Sequence, residues 1–154
     1  MIRWSTRGRE PTSWAIAVVL IHFLVLVLHA IAHSRLGIPL SDAQKLFVGV
    51  VVVALPLVAA FILWKGDRRS GSALLTTSMS GALIFGVYFH FVLPGPDHVG
   101  HPWMPGGAGD LFDETAIELM SLEALATLLG SGLMIKSIVH DSRVARGRDP
   151  KLPG

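Results

Sequence analysis

His29 and His33 stand four positions apart in an apolar run near the start of the chain. On a helix this spacing turns both imidazoles the same way. Two imidazoles so placed can chelate one metal ion, as in the helical zinc motif, although the general-base Glu of that motif is absent here. His22 precedes His29 by seven residues and falls two turns along on roughly the same stripe. An imidazole turned toward lipid is costly, so the stripe is expected to face the interior of a helical bundle. His90 lies in a later apolar run, and Glu114 and Glu118 lie one turn apart at the start of the last one. Between these two runs come Asp97, His98, His101, Asp110 and Asp113, read as a loop. The candidate metal ligands are therefore His29, His33, His90, His98, His101 and Glu118.

The chain has no cysteine, which removes disulfide frameworks, iron–sulfur clusters and thiolate metal sites. Nitrogen and oxygen donors without thiolate suit Zn(II), Cu(II) or Fe, and the general affinity order favours copper. The Glu-x-x-His pairs of di-iron four-helix proteins are absent. Haem b is a second option, because His29 or His33 together with His90 would place two histidines on different helices at one depth. Glu123 stands apart, five residues beyond Glu118, about 7.5 Å deeper at helical rise and on a different face. A carboxylate in so apolar a stretch needs a partner. The histidine stripe at His22 and His29 is the expected one, either as a structural hydrogen bond or as a proton relay.

These residues must be positioned by helices in lipid. Of the 154 residues, 51% are hydrophobic and only 16% are charged, well below the quarter or so of a soluble domain. Four apolar runs, about 14–33, 46–64, 72–93 and 115–135, each approach the ~20 residues that a helix needs to cross a bilayer. In hydrocarbon every backbone polar group must be paired within the segment, so helix is the expected form. The fold class predicted is an all-α integral membrane bundle of four transmembrane helices. It divides into a cytoplasmic segment 1–12, a transmembrane domain 13–139 and a cytoplasmic tail 140–154. Pro56 should bend the second helix or break one of its hydrogen bonds. Ala82 with Gly86, and Ala126 with Gly130, have the spacing that lets helices approach closely.

Eleven of the thirteen basic residues lie in the N-terminal segment, the Lys65–Arg69 loop and the C-terminal end. The positive-inside rule then predicts both termini in the cytoplasm, with the histidine-rich ends of the helices outside. Ala30-Ile31-Ala32 also resembles a signal-peptide cleavage site after an apolar stretch, a competing reading that leaves the other three helices oriented as before. In the loop before the fourth helix, Trp103 is expected at the membrane interface and Met104 offers a soft thioether, so the loop reads either as a lid or as a connector.

The block from Tyr88 to Val99, YFHFVLPGPDHV, resembles a segment of small, uncharacterised four-helix membrane proteins of bacteria. The likeness extends over the first three spans, including Ser34 to Leu40, and has no counterpart from Gly100 to Asp113. It implies the membrane architecture alone and brings no activity or ligand; the expected location of the chain is a bacterial plasma membrane.

The net charge of +2 is spread over short segments, unlike the clustered basic face of a nucleic-acid binder. No nucleophile motif, phosphate loop or dinucleotide fingerprint occurs. The expected function is binding of a transition metal at the outer face, for metal handling or support of a redox partner, rather than enzymatic turnover. The alternatives are a structural or assembly subunit whose polar residues only join helices, and a haem b electron carrier. The expected partners are the bilayer and another membrane protein or a second copy of the chain.

Overall fold

The computed structural model describes residues 10–102 and 107–147. Among them the chain forms four long helices. These are α1 (Glu10–Leu36), α2 (Asp42–Lys65), α3 (Arg68–Val92) and α4 (Ala108–Gly147). All four contain a stretch long and apolar enough to cross a membrane.

The helices alternate in direction. Leu63 of α2 meets Gly71 of α3, while Phe47 stacks on Phe85 at the other end of the same pair. Likewise Gly130 of α4 meets Thr76 of α3, and Gly86 meets Glu123. α1 and α4 are matched by His22 with Glu123 and His29 with Thr115. One end of the bundle thus collects the α1–α2 and α3–α4 connections and most histidines. The other collects Lys65, Arg68, Arg69 and Arg143.

Local signals explain where the helices begin and end. Ser41 and Gln44 form a reciprocal capping box at the start of α2, with Ser41 N donating to Gln44 Oε1 at 2.8 Å. α2 closes on Gly66, whose φ of 97° lies in the left-handed region that only glycine enters without strain. Asp67 then caps α3 by accepting from Ser70 N at 3.0 Å. Pro56 has no N–H to give the preceding turn, and α2 absorbs the defect as a π-helical segment, Val48–Ala54, just upstream.

Small residues set the closest approaches. A Cβ on Gly130 would stand 2.6 Å from Thr76 Oγ1 and 3.1 Å from Thr76 N, so the α3 and α4 backbones nearly touch. Ala15, Val19, Ala59, Leu75, Met79 and Ala126 form the core between the helices. The outside is apolar as well: Ile84 and Leu128 are each 70% exposed. A surface of this kind is foreign to water-soluble proteins.

Two boundaries differ from those expected. α4 starts at Ala108, ahead of residue 115, so Asp110 and Asp113 belong to its first turns and not to the loop. Acidic side chains there complement the positive end of the helix dipole. Polar residues do not register as part of an apolar span, which is why the apolar run begins later than the helix. α4 also continues past 135 to Gly147, and Lys136, Asp141 and Arg143 are exposed along that extension. Trp103 and Met104, the proposed interface and thioether residues, lie outside the described residues.

Candidate metal centre

The histidine stripe of α1 faces inward: His22, His29 and His33 are all buried. His90 joins them from α3. It sits in a π-helical last turn, Tyr88–Val92, closed by Leu93 N donating to Tyr88 O at 2.8 Å. The wider turn frees the carbonyl of His90, which accepts from Val99 N at 2.9 Å. The chain after α3 is thereby folded back over the helix end, and Asp97 returns to the His90 side chain.

The result is a compact group. One nitrogen from each of His29, His33 and His90 can be chosen so that all three lie within 4.8 Å of one another. Two nitrogens on one ion with bonds of 2.0–2.1 Å stand at most ~4.2 Å apart. The group therefore needs to close by less than a bond length to hold a metal. Phe112 of α4, fully buried, backs all three rings. Its centroid is 4.9 Å from His29, 5.1 Å from His33 and 5.4 Å from His90.

The hydrogen bonds assign the ring protons. The Thr115 hydroxyl donates to Leu111 O at 2.6 Å, so its oxygen accepts from His29 Nδ1 at 2.9 Å. His29 Nε2 then carries a lone pair, and it is buried without a hydrogen-bond partner. His90 Nδ1 donates to the carbonyl of Asp97 at 2.8 Å, leaving its Nε2 unprotonated. His33 Nε2 lies 3.1 Å from Asp97 Oδ1, an oxygen that only accepts when ionised, and His33 Nδ1 is buried without a partner. His29 and His90 each have one ring nitrogen engaged by an oxygen, and His33 turns Nε2 toward the Asp97 carboxylate. Metal-binding histidines are oriented in this way by their outer partners.

Asp97 completes the surroundings. Its Oδ1 lies 3.1 Å from His33 and 3.3 Å from His90 Nδ1. Burial opposes its charge, but the hydrogen bonds from His33 and His90 outweigh burial and hold the carboxyl down at about 2. An ionised acid thus stands beside the imidazoles of His33 and His90.

Of the proposed ligands, the fold brings together His29, His33 and His90. Glu118 is exposed on the outer side of α4, apart from the group, and does not serve it. His98 and His101 are not part of the cluster either. His98 turns its Nδ1 to its neighbour's carbonyl, Val99 O, at 2.6 Å. Asp97, Thr115 and Phe112 were not expected at the site. For Asp97 the available signal was its place seven residues after His90, across a Pro-Gly-Pro turn.

Glu123 is buried and pairs with His22, their Oε1 and Nε2 being 3.3 Å apart. Its second oxygen points toward Gly86 of α3, where a Cβ would stand 3.5 Å from Oε2 and 4.0 Å from the His90 ring.

Three imidazoles with a carboxylate beside them suit a transition ion such as Zn(II) or Cu(II), with a fourth position free for water, Asp97 or a ligand. The geometry does not suit bis-histidine haem. Axial histidines stand on opposite faces of a porphyrin, whereas the His29 and His90 rings meet edge to face at 5.0 Å. No protein-family model, curated protein or solved structure matches this chain.

Proposed function

We propose that the chain is a multi-pass membrane protein with both ends in the cytoplasm. In this reading it holds one transition metal at the outer end of its bundle, through His29, His33 and His90. The single observation that carries the metal reading is the convergence of three buried imidazoles, two of which, His29 and His33, keep a buried ring nitrogen without a hydrogen-bond partner. Three imidazoles gathered in an apolar setting gain little from one another. A cation resolves the arrangement by accepting all three at once. The apolar exterior and the charge bias of the loops support the membrane reading.

The role of such a site is to handle the metal or to present it to a redox partner. Elemental analysis of full-length protein, purified without a histidine tag, tests it. One equivalent of copper or zinc per chain is expected. His33→Ala should lose most of it, and His140→Ala, at the basic end, should keep it. A wild-type chain without metal, or equal losses in both variants, would leave the alternative of a structural subunit standing.

A further inference from the structure

Below the three histidines lies a cavity of about 470 Å³, within the range of small-molecule sites. Its formation follows from the helix packing. α1 packs on the Leu55–Lys65 half of α2, while the Val48–Ala54 segment leans on α3. The two helices therefore part at the histidine end, and the space between them is lined by Leu26, Ile38, Val48, Val52, Phe85 and Leu119. Residues of both α1 and α2 form its walls, among them Ala30, exposed on the flank of α1, with Lys45 toward the end of the bundle.

The polar groups at the inner wall of the cavity are His29, His33, His90, Asp97 and Glu123, with Ser34 and Lys45 toward the end of the bundle. The inner-wall groups form one site. The point beside Gly86 that a Cβ would occupy is 3.5 Å from Glu123 Oε2 and 4.0 Å from the His90 ring, so one small group placed there touches both. Glu123 Oε1 is engaged by His22, and Oε2 faces this gap.

From this arrangement we propose that the cavity binds an uncharged, membrane-dissolved phenol or quinol, its ring among the apolar walls and its hydroxyl between the metal position and Glu123. The proposal rests on the metal reading above. The gap between α1 and α2 lies within the apolar length of both helices, so a ligand comes from the hydrocarbon and must itself be apolar. A molecule ending in a carboxylate or phosphate would meet the carboxyl groups of Asp97 and Glu123 at the inner wall, while Lys45 at the end of the bundle is engaged by Asp42. A hydroxyl is both donor and acceptor, and so suits a carboxylate oxygen on one side and a cation on the other. A phenol titrates near ~10 in water, so its O–H is a stronger hydrogen-bond donor than that of an aliphatic alcohol and suits the Glu123 oxygen that faces the gap. No bond is made or broken on binding: the O–H would donate to Oε2, and a metal held by His29, His33 and His90 would accept from the hydroxyl oxygen.

Equilibrium binding of 4-decylphenol and of its methyl ether to the full chain, zinc-loaded and in nanodiscs, tests the proposal. The two probes share shape and apolar surface, but only the phenol has a proton to share. Wild type should prefer the phenol at least tenfold. Glu123→Gln should bring the phenol to the level of the ether. Gly86→Leu, which fills the gap, and Val48→Trp, which narrows the opening, should each abolish phenol binding with metal content unchanged. Equal binding of phenol and ether, or phenol binding indifferent to both filling variants, would overturn the proposal. The two readings fail separately. A chain that takes up no zinc yet keeps a Glu123-dependent preference removes the metal and leaves the cavity. A chain that holds zinc and shows no preference removes the cavity ligand alone.

Discussion

His29 donates its Nδ1 proton to the hydroxyl of Thr115, 2.9 Å away on the facing helix, and is thereby left with a buried lone pair on Nε2. Thr115 can accept only because its own proton is already given to Leu111 O. Threonine thus sets the tautomer of a candidate ligand. Thr115→Val, equal in shape but unable to accept, should lower metal affinity about 10- to 100-fold, as loss of an outer-shell partner does. Thr115→Ser should restore it. Competition with a chelator of known affinity measures both.

Glu123 and His22 satisfy one another inside the bundle. Glu123→Ala leaves the imidazole with no partner there and should destabilise the protein by about 1–3 kcal/mol. Glu123→Gln retains an acceptor and should stay near wild type. Thermal unfolding in detergent, followed by circular dichroism, distinguishes the two. Equal stability of all three proteins would mean that the pair contributes nothing to the fold.

The contact of Gly130 with Thr76 makes a sharp packing prediction. The Thr76 hydroxyl can rotate away from a new methyl, but its backbone N, 3.1 Å from the added Cβ, cannot. Gly130→Ala should cost about 1–3 kcal/mol by overpacking. Gly132→Ala, where nothing lies within 4 Å, should not.

Orientation is open to direct labelling. Cysteines at Ser34 and Gly107, both exposed at the histidine end, should react with a membrane-impermeant thiol reagent in intact cells. One at Ser70, exposed at the basic end, should react only after lysis. The reverse pattern would turn the bundle over and place the histidine cluster on the cytoplasmic side.

Asp97 predicts a pH dependence in metal-free protein. Its carboxyl is lowered from the ordinary 3.8 to about 2 by contacts that burial only partly opposes. A depressed acid contributes stability that is in place above its unfolded value and is lost as pH falls through its folded value. Between about pH 4 and 2 the melting temperature of wild type should therefore fall more steeply than that of Asp97→Asn. Parallel curves would show that the aspartate is not held by His33 and His90 in solution.

The four long apolar helices and the inward turn of the α1 stripe were legible because both are written in one dimension. Runs of about twenty apolar residues announce helices in lipid, and i, i+4 spacing fixes a shared face. Glu118 and Glu123 show the limit of that reading. They lie about 140° apart around α4 at 3.6 residues per turn. Sequence separates their faces but cannot say which one points inward, and it is Glu123 that does. Asp97 was hidden for another reason. Its place beside His33 and His90 depends on the π turn of α3 and on the Val99–His90 hydrogen bond, neither of which has a periodic signature. Thr115 and Phe112 carry no functional signal as residue types. They matter through the rotation of α4, which the packing of Gly130 on Thr76 and of Ala126 in the core sets from a distance.

The split of the site between α1 and α3, with its backing on α4, has a consequence for biosynthesis. His29 and His33 leave the ribosome first, and on their own they form only a two-coordinate, weakly holding pair. The third imidazole follows after two more helices, and the threonine and phenylalanine that lock the rings come later still. A metal held by all three imidazoles would therefore be acquired only after the last helix has packed. In a cell, the metal content of this chain would count finished molecules and pass over the nascent ones.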